Sequence, residues 1–220
     1  SFSKSYANEV TDLLLLNFNN VGKFSKNFSD ALKQIVFDFP KKTFQDLSHF
    51  IEKTENHKRQ KQICQAYASK FSELEKKGTS MIFVGTTGTG KTHLACAIAN
   101  FVIKDLEKKA IFMSVIDAVR RVKETYKRHN EETEREAILS FLKPDLLILD
   151  EVGVQFGSDT EKMILFEIIN KRYENLKPTI LLSNLALQAL QSFVGERIID
   201  RMKENGGKIL VFDWDSYRNQ

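Results

Sequence analysis

A chain of 220 residues has room for one full domain and a short appendage, and not for two large domains. Hydrophobic residues make up 42% and charged residues 28%, with only three prolines, which excludes disordered and fibrous classes. The 33 Lys and Arg exceed the 29 Asp and Glu by a net +4, too little to imply nucleic acid, so any basic surface has to be local. Two cysteines, Cys64 and Cys96, stand in no CxxC and no Cys/His cluster. That excludes zinc ribbons and disulfide scaffolds and points to a cytoplasmic protein. The apolar runs Leu13 to Leu16 and Leu146 to Leu149 fall far short of the ~20 residues that span a bilayer, so no membrane role is expected.

Residues 1–42 are rich in Phe, Asn and Ser and hold a helix-like stretch from Asn8 to Phe18; Phe28, Leu32, Ile35 and Val36 then recur at helical spacing until Pro40 breaks the pattern. They read as a short N-terminal helical appendage and linker, with a second unit over 43–220. From His57 to Lys76 the spacing of Ile63, Ala66, Tyr67, Phe71 and Leu74 predicts one amphipathic helix closed by Gly78. Five short apolar runs follow: Met81 to Val84, Ala110 to Met113, Asp145 to Asp150, Thr179 to Ser183 and Lys208 to Phe212. Helical segments separate them over His93 to Leu106, about Thr160 to Asn175, and on to about Lys203. Buried apolar strands alternating with helices predict an α/β fold, a five-stranded parallel sheet with helices on both faces.

The sharpest motif is Gly85-Thr86-Thr87-Gly88-Thr89-Gly90-Lys91-Thr92, which fits GxxxxGK[ST] at every fixed position and runs from a predicted strand into a helix beginning near His93. Glycines there let backbone N–H groups close around a polyphosphate at the positive end of the helix. Lys91 is expected at the β and γ phosphates and Thr92 on Mg²⁺, which needs few protein ligands. The run ending in Asp150-Glu151 places two carboxylates at a strand's carboxyl end, where ligands gather in parallel sheets. Asp150 is expected to hold Mg²⁺, directly or through water, and Glu151 to polarise an attacking water; the plainer alternative is that one or both cap the next segment. The predicted strand Ala110 to Met113 falls between these motifs, as in the additional-strand class of P-loop ATPases, and no NKxD guanine motif is present, so ATP is favoured over GTP.

Over roughly 43–220 the sequence resembles AAA+ ATPases, specifically the bacterial helicase loaders of the DnaC type and the related IstB-type transposition ATPases. The matching pieces are Asp150-Glu151-Val152-Gly153-Val154-Gln155, Ser183-Asn184, Gly195-Glu196-Arg197-Ile198-Ile199-Asp200-Arg201-Met202, and Phe212-Asp213-Trp214-Asp215-Ser216-Tyr217-Arg218. The last favours the helicase loaders. The resemblance implies a three-layer P-loop NTPase. Eight residues after Phe212 leave no room for a C-terminal lid domain.

By the same likeness, Asn184 is a sensor orienting the lytic water, or else a turn former. Arg201 is an arginine finger acting on ATP of a neighbouring subunit in a homo-oligomer. Arg197, one turn earlier, either assists it or forms an ion pair. Arg218 is a sensor of the γ-phosphate, or an exposed terminal arginine. Asp117 to His129 carries Arg120, Arg121, Lys123, Lys127 and Arg128 against Asp117 and Glu124, an excess of three positive charges. This basic helix sits where the relatives contact single-stranded DNA, with Tyr126 able to stack on a base; the alternative is a solvated charged face. Ser158 is counted with the DNA-contacting residues, and Thr160 just after it occupies a site where relatives offer an aromatic to the strand, so a weaker contact is expected there. The implied activity is ATP hydrolysis, slow unless DNA or oligomerisation stimulates it, in loading the replicative DNA helicase. The alternatives are a transposition helper and a nucleotide switch with little hydrolysis. Residues 1–42 either grip the helicase or pack on the core.

Overall fold

The computed structural model describes residues 54–127, 130–153 and 158–216. The expectations for residues 1–42, the linker near Pro40, Arg128 and Arg218 lie outside them. Helix α1 (Glu55–Ser69) opens on Thr54, whose side chain accepts from the His57 amide. It stops at Lys70 and is followed by the single turn α2 (Phe71–Leu74) and a 3-10 turn, Glu75–Lys77. The one continuous helix expected over 57–76 is therefore broken. Lys70 leaves helical geometry at φ −100° and ψ 9°, which swings Phe71 into the core, where it is fully buried.

Then come β1 (Met81–Gly85), α3 (Lys91–Lys104), β2 (Ala110–Ser114), α4 (Val115–Lys123), α5 (Glu134–Ser140), β3 (Leu146–Asp150), α6 (Asp159–Glu174), β4 (Thr179–Ser183), α7 (Leu187–Val194), α8 (Glu196–Lys203) and β5 (Lys208–Phe212). The sequence suggests one helical stretch ending near Lys203; Gly195, at φ 89°, divides it into α7 and α8. The basic helix is also shorter than expected. It ends at Lys123, a 3-10 turn covers Glu124–Tyr126, and Lys127 is already extended.

The five strands form one parallel sheet in the order β2-β3-β4-β1-β5. Alternate side chains point to opposite faces. Met81, Phe83, Leu146, Ile148, Ile180 and Leu182 pack on one side with Cys64, Phe71, Leu94 and Ile98 from α1 to α3. Ile82, Val84, Leu147, Leu149 and Leu181 pack on the other with Val119, Ile138, Ile168 and Ile199 from α4, α5, α6 and α8. Burying each such side chain contributes about 1.5–3 kcal/mol, and this two-sided demand is why the strands read as unbroken apolar runs. With the strands parallel, the carboxyl ends of β1, β3 and β4 lie side by side, β4 between the other two.

Candidate nucleotide site

The loop Gly85 to Thr92 leaves β1 at a point of close contact. Gly85 pairs with Phe212 of β5 at φ 136°, and a Cβ there would lie 2.0 Å from the Phe212 carbonyl oxygen, so only glycine fits. The loop turns through Gly88 and Gly90, both at positive φ, and enters α3 with no side chain capping its first amides. Uncapped N-terminal amides at the positive end of a helix form an anion site.

Lys91 is 5% exposed. Its ammonium donates to the carbonyls of Gly85 at 2.8 Å and Thr86 at 2.6 Å and approaches the Thr89 hydroxyl at 3.4 Å. Burial lowers its pKa, while the negative charge of Asp150 works the other way. Thr89 is fully buried, and its hydroxyl donates to the Thr86 carbonyl at 2.8 Å. Thr87 is exposed, and Gly88 and His93 are partly buried.

The two motifs meet directly. The Thr92 hydroxyl donates to Asp150 Oδ2 at 2.9 Å, and Asp150 Oδ1 accepts the Glu151 amide at 2.7 Å. Two hard oxygen donors side by side suit Mg²⁺, which takes the remainder of its shell from water and phosphate. Among the described residues no group of three or more His, Cys, Asp or Glu is placed to hold a metal. Glu151 is exposed at φ 62°, a left-handed backbone that costs a non-glycine residue roughly 1–2 kcal/mol and tends to persist where function requires it.

Beyond Glu151 the chain is tied to β4. The Val152 amide donates to the Leu182 carbonyl at 2.9 Å, and the Ser183 hydroxyl donates to the Val152 carbonyl at 2.6 Å while accepting the Leu185 amide at 3.1 Å. Gly153 sits at φ 95°, where a Cβ would stand 2.4 Å from Leu185 Cδ1. Asn184 is exposed as the first residue past β4, on the strand between those of Lys91 and Glu151. Ser183 was legible in the sequence only as Asn184's neighbour; the tie it makes could not be read there.

Arg201 is on α8, partly buried, its guanidinium 5.0 Å from the centre of the Tyr173 ring of α6. Such a cation–π contact holds a charged head without neutralising it. Tyr173 is in turn anchored by its hydroxyl to Glu204. Arg197, a turn earlier, is exposed. The basic segment requires a correction: Arg121 is 7% exposed and donates to Glu132 at 2.6 Å, so it ties α4 to the start of α5 and does not face a strand. Lys123 is likewise engaged, by Glu161 at 2.8 Å. Arg120 is exposed beside Asp117 at 3.5 Å, and Tyr126 (52% exposed), Lys127 and Ser158, the N-cap of α6, are open to solvent.

The model of the family described as IstB-like ATP binding protein matches residues 3–220. The chain belongs to this family. It is 38% identical over 166 residues to the replicative helicase loader DnaC of Buchnera aphidicola subsp. Baizongia pistaciae (strain Bp), covering 76% of this chain and 66% of that one. Against DnaC of Escherichia coli (strain K12) it is 37% identical over 149 residues, 67% of this chain and 60% of the relative. The matches thus span just under two thirds of these relatives. The crystal structure of the DnaC helicase loader superposes with a TM-score of 0.68 at 24% identity, over 80% of this chain and 98% of that one. The replication initiator DnaA bound to AMPPCP and single-stranded DNA does so at 0.64 and 26%, over 80% and 51%. The fold is that of a DnaC-type AAA+ P-loop NTPase, as the motifs imply. Among the described residues no helix is long and apolar enough to cross a membrane.

Proposed function

We propose that this chain is the motor part of a replicative helicase loader, which binds MgATP, hydrolyses it between neighbouring subunits and engages single-stranded DNA. The observation that carries this reading is the Thr92 to Asp150 contact at 2.9 Å, set beside an uncapped helix start and next to Glu151. In this reading the loop amides and Lys91 bind the triphosphate, and Thr92 and Asp150 hold Mg²⁺, which supplies charge neutralisation at the phosphates. Glu151 takes the proton of the attacking water, Asn184 orients that water, and Arg201 of a second copy, with Arg197 beside it, meets the charge on the leaving γ-phosphate. Arg218 serves as the sensor within the chain. The DNA face consists of Arg120, Tyr126, Lys127 and Arg128, with Ser158 at its edge, and Arg121 supports it from inside. Residues 1–42 hold the replicative helicase.

Titration calorimetry with ATP and Mg²⁺, anisotropy with labelled single-stranded DNA, and co-purification with the hexameric replicative helicase test the three parts. Failure to bind ATP overturns the whole reading. The family match, which covers residues 3–220, favours a second reading, a transposition helper that binds duplex DNA and a transposase. Preference for duplex over single-stranded DNA and capture of a transposase decide for it.

A further inference from the structure

After β5 the chain crosses the phosphate-binding loop, and this crossing is built from contacts that none of the assigned steps uses. The Trp214 indole N–H donates to the Thr89 carbonyl at 3.1 Å, and the Trp214 carbonyl accepts the Thr86 hydroxyl at 3.4 Å. One residue thus spans the loop from its second position to its fifth. Its ring lies 5.0 Å from that of Phe212 and 4.1 Å, edge-on, from that of His57. His57 is 3% exposed in the first turn of α1. The flanking contacts come from the same helix: Asn56 Nδ2 donates to Asp213 Oδ1 at 2.7 Å, and Gln60 Nε2 to the Val211 carbonyl at 3.2 Å.

We propose that Trp214 is a positioning residue of the nucleotide site, orienting the loop's Thr89–Gly90 peptide, and that His57 fixes the indole in the pose that does so. In a trans peptide the C=O and the following N–H point in opposite directions. Holding the Thr89 carbonyl toward the indole therefore turns the Gly90 amide away from it. Gly90 is the N-cap of α3, so its amide is among those that face an anion at a helix start. A loop carrying Gly85, Gly88 and Gly90 has many backbone states to lose, and a stiff two-ring support bonded to its middle removes some of that freedom before ligand arrives. This inference rests on the reading of the loop as a nucleotide site.

The chain has one tryptophan, so both the substitution and the spectroscopy are unambiguous. Trp214→Phe keeps a six-membered ring against His57 and Phe212 and removes the N–H together with the five-membered part of the indole. In nucleotide-free protein, amide exchange over residues 86–90 is expected to rise about tenfold, the scale of one net hydrogen bond, with exchange in β1 and β4 unchanged. A general loss of structure accelerates exchange in the strands as well. ATP affinity is expected to fall by a similar factor, and His57→Leu, which keeps the indole donor, is expected to fall between Trp214→Phe and wild type. Loop exchange that is identical in wild type and Trp214→Phe overturns the inference, as does acceleration of the strands to the same degree. Should the variants not fold, the single indole N–H resonance of ¹⁵N-labelled wild type decides: slow exchange with solvent supports the inference, and free exchange overturns it. Absence of ATP binding by the wild type defeats the proposed function alone, because the loop exchange is read without nucleotide.

Discussion

Thr92 and Asp150, 58 residues apart in sequence, touch through a hydroxyl-to-carboxylate hydrogen bond of 2.9 Å. Both are hard oxygen donors of the kind Mg²⁺ takes, so this pair would hold the ion, directly or through water, with Asp150 supplying the negative charge. Asp150→Asn retains an oxygen that can accept from Thr92 but loses the charge. Its affinity for ATP with Mg²⁺ is expected to drop about tenfold or more, while its affinity in the presence of a chelator stays at the wild-type level. Calorimetry with and without Mg²⁺ reads both, and an equal loss under the two conditions argues against metal binding at Asp150.

Lys91→Ala removes the ammonium that joins the Gly85 and Thr86 carbonyls, and ATP binding is expected to be abolished with the far-ultraviolet circular dichroism unchanged. The lysine also makes a pH prediction. Burial lowers its pKa from the ordinary 10.5, so between the lowered value and 10.5 the unfolded chain carries a proton that the fold does not, and this residue's contribution to stability rises with pH across that window. Phosphate oxygens restore the preference for the charged form. In alkaline buffer below 10.5, ATP binding is therefore expected to take up protons, seen as a binding enthalpy that depends on the buffer's own heat of ionisation. That dependence is expected to vanish in Lys91→Ala.

Glu151→Gln preserves the side-chain shape at the left-handed position, φ 62°, and removes the base. ATP binding is expected to persist while hydrolysis falls about 10²–10⁴-fold, the range for losing a positioned proton acceptor. Single-turnover assays with saturating ATP separate the two, and near-normal turnover removes Glu151 from the chemistry.

The sheet was legible because each strand is an apolar run that a two-sided parallel sheet requires, and the nucleotide loop because its glycines and Lys91 are local in sequence. What escaped depends on packing and side-chain partners that the local pattern does not announce. Arg121 reads as one more cation in a basic run, yet its place beside Val119 and Val122 on the buried side of α4 turns it toward Glu132. Trp214 reads as part of a motif, while its contacts to Thr89 and His57 lie 125 and 157 positions back in the sequence. The break at Lys70 has no glycine or proline to announce it; packing of Phe71 outweighs the helical preference of its neighbours.

Arg172 illustrates the same blindness and yields a stability prediction. It is fully buried at the amino-terminal side of the sheet. Its guanidinium donates to the carbonyls of Phe141, Pro144 and Pro178 and to the Thr179 hydroxyl. Burial pushes its pKa down to about 9, so at neutral pH it remains charged and is held by these oxygens. Arg172→Leu removes a donor from three buried carbonyls, of which Pro178's keeps the Leu147 amide, and each one left unsatisfied costs about 1–3 kcal/mol. A loss of about 3 kcal/mol or more is expected, lowering Tm by roughly 6–12 °C for a chain of this size. A loss below about 1 kcal/mol shows that water replaces the guanidinium.

Arg201 lays its guanidinium on an aromatic face, 5.0 Å from the Tyr173 ring centre, with the charge of Glu174 nearby. A finger that must present charge to another subunit's phosphate gains from such a support, since a ring face holds the guanidinium while leaving its charge free to act. Arg201→Ala is therefore expected to bind ATP as wild type does and to lose DNA-stimulated turnover by about 10³-fold, the lower end for removal of an arginine finger. Tyr173→Phe retains the ring and is expected to leave turnover within about twofold, whereas Tyr173→Leu removes the support and falls in between. Mixing Arg201→Ala with Glu151→Gln makes the test decisive: a finger acting between subunits restores turnover at sites pairing an intact Glu151 with an intact Arg201 from the other copy. Absence of rescue, with mixed oligomers demonstrated, assigns Arg201 to its own chain.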